Sequence, residues 1–340
     1  MDQKKKKLIW QVPFLLVLIV GTVIIVSQQR NMPYQKNTGL IFGTEYHITY
    51  QSDEDLQKEI EEQMNHVNSV FSTFDPKSEI SRINKNEDFR VSDSFVYVYN
   101  LAEKVSKETH GAFDVTVAPL VNLWGFGFKQ GQQPNKHAVD SIMPFIGFDK
   151  VRMENRRIVK ANPHVMLDFA AIAKGYGCDV VANYLRSRGV SNFMVEIGGE
   201  VVTSGISEKR TPWKIGITKP NDDPTQSENE LQTILNVTDK AMATSGNYRN
   251  FYYKAGRKYA HTIDPKTGYP VQHNILSATV LANDCATADA YATSFMVMGM
   301  EGAQQVLKKH PELMVYLIYT DKQGKYAVWY SPSLKDKIEI

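Results

Sequence analysis

Residues 284–299 read DCATADAYATSFMVMG, and this run predicts a helix whose small alanines leave room for other groups to approach closely. In such a helix, Asp289 and Thr293 lie one turn apart on the same face. A carboxylate and a hydroxyl at this spacing suit a hard cation such as Mg²⁺, which takes oxygen ligands and completes its shell with water and phosphate. The alternative is that Thr293 bonds to its own helix while Asp289 faces solvent.

The N-terminus carries a long run without charged residues at 8–26, preceded by lysines at positions 4–7. A helix of this length can cross a bilayer, and lysines before it hold that end in the cytoplasm. Neither a small-residue cleavage site nor a cysteine that could carry a lipid follows, which favours an uncleaved anchor. We therefore predict a basic cytoplasmic segment at residues 1–7, a transmembrane signal anchor at residues 8–26, a tether at residues 27–38, and a domain at residues 39–340 on the periplasmic side of the inner membrane.

Composition and missing motifs exclude several classes of function. The net charge of +2 offers no basic excess for neutralising nucleic-acid phosphates. The chain has no phosphate-binding P-loop, no G-x-G-x-x-G, no G-x-S-x-G and no Cys/His metal cluster. Cys178 and Cys285 lie far apart in the sequence, so two small buried residues are favoured over a disulfide.

Several segments have clear periodicity. Residues 39–50 alternate as one strand, and apolar positions from Leu56 to Phe71 follow a helical period, with Ser52 as the predicted cap. A second helix is predicted at residues 92–110 and a third after Asp168. A separate helix is predicted at residues 301–310, beyond the proposed metal helix.

Polar side chains in three places are candidates for chemistry. Residues 261–270, HTIDPKTGYP, form a turn in which His261 suits proton transfer and Asp264 lies close by, although a lone histidine is more often structural. Asp168 lies between a strand and a helix, where it caps the helix or orients a ligand. Lys174, in a glycine-rich stretch, meets a phosphate, a ring edge or solvent. The aromatic residues of 123–128 form either a bed for a planar ligand or a tightly packed loop.

Seven short motifs occur in order along the chain: FGT at 42–44, STFDP with SE at 72–79, GAFDV at 111–115, DFAAIAKG at 168–175, GGEV at 198–201, HTIDPKTGYP at 261–270 and DAYAT at 289–293. Taken together, they resemble the ApbE family of FAD:protein FMN transferases. The resemblance covers about residues 40–320. It implies an α+β fold of mixed, largely antiparallel sheets with packed helices, with FAD as substrate and Mg²⁺ as cofactor.

The resemblance also assigns roles to individual residues. Metal ligands would be the backbone carbonyl of Ala171 and the side chains of Asp289 and Thr293. His261 matches the family's histidine associated with catalysis. FAD contacts are implied for Phe42, Phe74, Ala112, Phe113, Asp114, Asp168, Lys174 and Ile263. Phe42 stands where methionine is common and Phe74 where tyrosine often occurs, so both keep an apolar surface.

The implied activity is Mg²⁺-dependent transfer of FMN from FAD to a threonine or serine hydroxyl of a partner protein, with release of AMP. Family partners are flavin-carrying subunits of membrane redox complexes, such as sodium-translocating NADH:quinone reductase, that carry a D-x-x-[S/T]-G-A-T-like segment. Two alternatives share the same residues. One is a Mg²⁺-dependent FAD pyrophosphatase giving FMN and AMP, and the other is a flavin-binding module without turnover.

Overall fold

The computed structural model describes residues 11–23, 32–126, 134–220, 230–247, 251–254 and 257–339. Residues 11–23 form a helix with mostly exposed side chains. Among the described residues, none of the helices combines the length and apolar character needed to cross a membrane. The anchor predicted at residues 8–26 extends past the described helix at both ends, so it stays a prediction.

The strands assemble into one large sheet and three small ones. In chain order they are β1 Tyr34–Ile41, β2 Thr44–Gln51, β3 Val151–Glu154, β4 Arg157–Lys160, β5 Phe193–Ile197, β6 Glu200–Ser204, β7 Trp213–Thr218, β8 Leu231–Val237, β9 Ala241–Gly246, β10 Phe251–Lys254, β11 Arg257–Ala260, β12 Ile275–Ala282, β13 Met314–Thr320, β14 Tyr326–Tyr330 and β15 Ile338–Glu339. The large sheet has the order β1-β2-β5-β6-β9-β12-β13-β14, with every neighbouring pair antiparallel. The small sheets are β15-β8-β7, β10-β11 and β3-β4.

The helices of the domain follow the periodicity of the sequence closely. They are α1 Gln57–Phe71, α2 Glu79–Asn84, α3 Asp93–Glu108, α4 Ala118–Leu123, α5 Lys136–Ile142, α6 Ala170–Ser187 and α7 Cys285–Lys309. Short 3₁₀ helices cover Val115–Val117, Met143–Phe145, Phe148–Lys150 and Pro332–Lys337. The predicted second helix is confirmed as α3, which Ser92 caps by accepting a hydrogen bond from the Phe95 N–H at 3.2 Å.

Alternating side chains give the large sheet two apolar faces. In β12, Val280 packs into the core shared with the long helices, whereas the next residue, Leu281, packs against the small sheet β15-β8-β7. The large sheet is therefore the middle layer, with helices on one face and the three-stranded sheet on the other. This arrangement confirms the predicted α+β class with largely antiparallel sheets.

The large sheet has a weak seam between β6 and β9. These two fully described strands pair only as Val201 with Met242 and Val202 with Ala241. Towards the end of β9 and the start of β6 the strands diverge, and residues of both border a cavity. The seam separates the half β1-β2-β5-β6 from the half β9-β12-β13-β14.

Helices α6 and α7 cross this seam at very close range, and Gly175 makes the approach possible. A Cβ atom at position 175 would lie 2.3 Å from the backbone oxygen of Cys285. Cys178 and Cys285 are both buried and their thiols contact each other, although they are far apart in the sequence. The Cys178 thiol also donates to the backbone oxygen of Glu200 at 3.3 Å, which ties α6 to the start of β6.

Two sequence-based boundaries near the start of the domain were wrong. Residues 39–50 form a hairpin, β1 and β2, because Phe42 and Gly43 both have positive φ and reverse the chain. Strand β1 begins at Tyr34, inside the predicted tether.

One helix prediction also needs correction. Ser52 does not cap α1; the N-cap residue is Leu56, which makes no side-chain capping bond, and the carboxylate of Asp55 accepts the N–H of Gln57 at 3.0 Å. The separate helix predicted at residues 301–310 is confirmed, because Gly299, with φ of 75° and ψ of −178°, breaks α7 into two helical segments.

We expect Gly175→Ala to destabilise the protein. Alanine in an open helix position would gain about 1 kcal/mol over glycine, but here the added methyl group meets backbone atoms of α7 that cannot move alone. The free energy of unfolding, measured by urea denaturation, should fall by about 1–3 kcal/mol. Ser187→Ala, on the exposed end of the same helix, is the control and should change it little; a more stable Gly175→Ala protein would contradict the packing described here.

Candidate active site

A cavity of about 740 Å³ opens where β6 and β9 diverge. Its walls come from the loop before α2, the loop around Ala112, the N-terminal half of α6, the start of β6, the end of β9, and α7. Most of the residues that the sequence singled out line this cavity. They are Phe74, Ala112, Phe113, Asp114, Asp168, Ala171, Lys174, His261, Ile263, Asp289 and Thr293.

Asp289 and Thr293 face the cavity, and this placement contradicts the alternative of a solvent-facing aspartate. Asp289 is only 3% exposed, and one of its oxygens accepts the N–H of Gly175 at 3.1 Å. The hydroxyl of Thr293 bonds to the hydroxyl of Ser245 across the cavity at 2.9 Å and not to a carbonyl of its own helix. The described residues hold no group of three or more His, Cys, Asp and Glu side chains arranged for a metal. A cation here would need carbonyl and hydroxyl oxygens beside Asp289.

A cluster of charges lies beside Asp289, and in it Glu200 is buried whereas the Lys174 side chain is 34% exposed. The ammonium of Lys174 is 2.7 Å from a carboxylate oxygen of Glu200, which is 2% exposed. Burial raises the pKa of Glu200, and the charge of Lys174 offsets only part of this effect. Burial also raises the pKa of Asp289. For Lys174, burial alone would lower the pKa, but the charges of Glu200 and Asp289 outweigh it, so the pKa is raised.

Glu200 is the site residue that the sequence reasoning missed. It follows two glycines, Gly198 and Gly199, that turn the chain from β5 into β6, and only the glycines drew attention in the sequence. The available signal was a carboxylate directly before the buried run Val201–Thr203. A charge at the start of a buried strand needs a partner, and that partner, Lys174, comes from a different element.

The wall around Ala112 is held by a chain of hydrogen bonds. The buried carboxylate of Asp114 accepts the N–H of Thr116 at 2.8 Å and its hydroxyl at 2.6 Å. The hydroxyl oxygen of Thr116 in turn accepts the N–H of Gly147 at 2.7 Å. Burial raises the pKa of Asp114, and the bonds from Thr116 reduce this shift without cancelling it. Thr116 therefore joins the cavity wall to the turn at Gly147.

Asp168 accepts a hydrogen bond at the start of α6, and it also borders the cavity. Its carboxylate accepts the N–H of Ala170 at 2.8 Å, although the N-cap residue of α6 is Phe169, which makes no side-chain capping bond. Burial raises the pKa of Asp168 more than this hydrogen bond lowers it. The bond therefore holds the first residue of α6, next to Ala171 in the cavity wall.

The aromatic residues divide into packed and exposed groups. Trp124 is buried, and its indole N–H donates to the backbone oxygen of Gly268 at 2.8 Å, so for this residue the tightly packed loop is the right interpretation. Phe126 borders the cavity, and residues 127 and 128 lie outside the described residues. Phe74 is 77% exposed at the cavity, where its ring offers an apolar face to a ligand.

Three predicted residues differ in their relation to the cavity. His261 lines it, with its ring centroid 6.4 Å from that of Phe126. Asp264 does not line it; its carboxylate accepts the N–H of Lys266 at 2.9 Å and holds the turn. Phe42 also stays out of the lining, because its ring packs on α6, within 2.6 Å of where a Cβ of Gly177 would lie. The flavin contact of Phe42, which the resemblance implies, and the catalytic role of Asp264, which its place beside His261 suggested, therefore remain predictions.

Comparisons of the sequence and of the structure with known proteins give the same family. A family model described as the ApbE family matches residues 42–317. The FAD:protein FMN transferases of Haemophilus influenzae and Vibrio cholerae are each 37% identical to this chain, over 90% of this chain and 94% of theirs. The flavin transferase ApbE of V. cholerae superposes with a TM-score of 0.80 at 36% identity, covering 90% of this chain and 99% of that one. The flavinyl transferase ApbE of Pseudomonas stutzeri has the same TM-score at 27% identity, covering 90% and 97%.

The fold, the cavity and these relatives define an enzyme of the transferase class. The chain belongs to the ApbE family. The resemblance of the seven motifs is thereby confirmed, and the interpretation as a binding module without turnover is not supported.

We expect Thr116→Val to lower the free energy of unfolding by about 2 kcal/mol, because the isosteric valine removes the acceptor of the Gly147 N–H and the hydroxyl bond to the Asp114 carboxylate, which keeps only its backbone donors. Thermal or urea denaturation measures this loss. Thr116→Ser keeps the hydroxyl and is the matched control, so it should retain most of the stability. Equal losses in the two variants would assign the effect to packing of the methyl group and not to the hydrogen bonds.

Proposed function

We propose that this chain transfers FMN from FAD to a threonine or serine hydroxyl of a partner protein, in a Mg²⁺-dependent reaction that releases AMP. The relatives named FAD:protein FMN transferases supply the reaction class. The observation that carries the proposal is the cavity itself. It is large enough for a dinucleotide, its walls offer apolar and backbone surfaces, and its inner end holds a buried carboxylate, Asp289, facing a hydroxyl, Thr293.

The inner end of the cavity fits a magnesium ion by its chemistry. Asp289 and Thr293 offer hard oxygen atoms, and Ala171 borders the same space. Asp289, Glu200 and Lys174 together carry two negative charges and one positive charge when ionised, and a buried excess of negative charge favours a cation. When bound, Mg²⁺ would neutralise charge on the pyrophosphate and on the departing AMP.

The other steps of the reaction depend on residues of the chain. The acceptor hydroxyl attacks the phosphorus on the riboflavin side of FAD, so that a P–O bond to the acceptor forms and the bond to the AMP phosphate breaks. His261 takes the proton of the attacking hydroxyl. Phe74 and the wall from Ala112 to Asp114 hold the flavin nucleotide in place, and Lys174 adds positive charge near the phosphates.

The acceptor and the location of the enzyme are part of the same proposal. We infer that the acceptor is a flavin-carrying subunit of a membrane redox complex, such as a sodium-translocating NADH:quinone reductase, with a D-x-x-[S/T]-G-A-T-like segment. The run of uncharged residues at 8–26 supports an anchor in the inner membrane with the enzyme outside the cytoplasm.

The decisive experiment incubates the purified protein with FAD, Mg²⁺ and an acceptor carrying this segment, followed by a denaturing gel viewed for flavin fluorescence. We expect a fluorescent acceptor band that disappears with chelator or when the acceptor threonine is changed to alanine. Free FMN and AMP with a dark acceptor band would favour the pyrophosphatase. Intact FAD after long incubation would contradict both activities.

His261→Ala should slow flavin transfer by about 10²–10⁴-fold, because the proton of the attacking hydroxyl loses its acceptor. Binding of FAD, measured by quenching of flavin fluorescence, should change much less than the rate of transfer. Transfer at the normal rate by a variant that binds FAD would remove His261 from the mechanism.

Asp289→Asn should raise the Mg²⁺ concentration needed for half-maximal activity by more than about tenfold. A loss of about tenfold is already expected when a group that only surrounds a metal site is changed, and a direct ligand should matter more. The reason is that the substitution removes the only charge of the predicted ligand set while keeping its shape. Titration of activity with Mg²⁺ measures the shift, and an unchanged requirement would move the metal away from Asp289.

A further inference from the structure

Glu200 has a place in the site that the proposed metal and flavin contacts do not explain. Its carboxylate is buried in the cavity wall and pairs with Lys174 at 2.7 Å. Its backbone oxygen accepts the thiol of Cys178, so α6 fixes both ends of the residue. Burying the Glu200 carboxylate costs much of what its pairing with the partly exposed Lys174 gains, so stability alone is a weak reason for the ion pair.

The neighbouring charges indicate a role for the ion pair of Lys174 and Glu200. The ammonium of Lys174 interacts with the negative charge of Asp289 as well as with that of Glu200. Asp289 accepts a hydrogen bond from the backbone N–H of Gly175, and no hydrogen bond from Lys174 to it is formed while Lys174 pairs with Glu200. If Glu200 carried no charge, Asp289 would be the remaining carboxylate whose charge acts on the Lys174 ammonium. The lysine would then compete with a cation for that carboxylate.

We propose that Glu200 is a positioning residue of the metal site, which holds the ammonium of Lys174 so that the carboxylate of Asp289 stays available to a divalent cation. The inference rests on the proposed function, because it needs a cation at Asp289. Glu200 would thus control metal affinity although none of the proposed metal or flavin contacts involves it.

The test is binding of Mn²⁺ to the full-length protein without FAD, followed by the electron paramagnetic resonance signal of free Mn²⁺. Glu200→Gln keeps the size of the side chain and removes its charge. It should weaken Mn²⁺ binding by about 10- to 100-fold, the range for groups that orient a metal ligand. The double variant Glu200→Gln with Lys174→Met removes the competing ammonium, and its affinity should return to within about threefold of the original protein.

Recovery in the double variant separates this role from a structural one, because a damaged hairpin would not be repaired by losing the lysine. Glu196→Gln is the matched control. It removes a carboxylate from the same β5–β6 turn, outside the cavity lining, and its amide oxygen can still accept the Gly199 N–H that Glu196 accepts at 2.6 Å. Its Mn²⁺ affinity should be unchanged.

Two further results would overturn the inference in different ways. Unchanged binding by Glu200→Gln, or a double variant as weak as the single one, would refute the role of Glu200 and leave the metal site intact. If Asp289→Asn bound Mn²⁺ as tightly as the original protein, the cation would not be at Asp289, and the metal part of the proposed function would fail with the inference. Melting temperatures of all variants identify any that have lost the fold.

Discussion

The close crossing of α6 and α7 at Gly175 is the contact on which the rest of the site depends. It brings Lys174 and Asp289, 115 positions apart in the sequence, to one end of a cavity. The same crossing gives Asp289 its backbone hydrogen bond and places Cys178 against Cys285. Helix packing at this distance is possible only where one partner lacks a side chain. A single missing Cβ thus sets the distance between α6 and α7, and with it the spacing of Lys174 and Asp289.

Some elements of the fold could be predicted from the local sequence and others could not. Helices α1 and α3 were predictable because each buries one face, and burial imposes the period of 3.6 on the residues themselves. The hairpin of β1 and β2 was not, because both strands alternate in the same way and the reversal depends on the positive φ of Phe42, which a phenylalanine seldom adopts. The end of the proposed metal helix was predictable, since Gly299 interrupts α7 with a positive φ of 75° that glycine adopts readily.

The site was predictable to the extent that its residues form ordered motifs. Asp289 and Thr293 were found from helical spacing, and Lys174 and Asp168 from their neighbours in the chain. The partnership of Lys174 with Glu200 could not be found in this way, because it joins a helix to a strand and appears only after folding. The contact of the two cysteine thiols was hidden for the same reason.

The seam between β6 and β9 has few backbone pairs, two where β1 and β2 have eight. The two halves of the sheet carry opposite walls of the cavity, with Glu200 on one and Ser245 on the other. The hydrophobic cores nevertheless continue across the seam, since Val201 packs with Met242 in one core and Val202 with Ala241 in another. Packing of side chains, more than the ladder of backbone hydrogen bonds, therefore joins the two walls of the cavity.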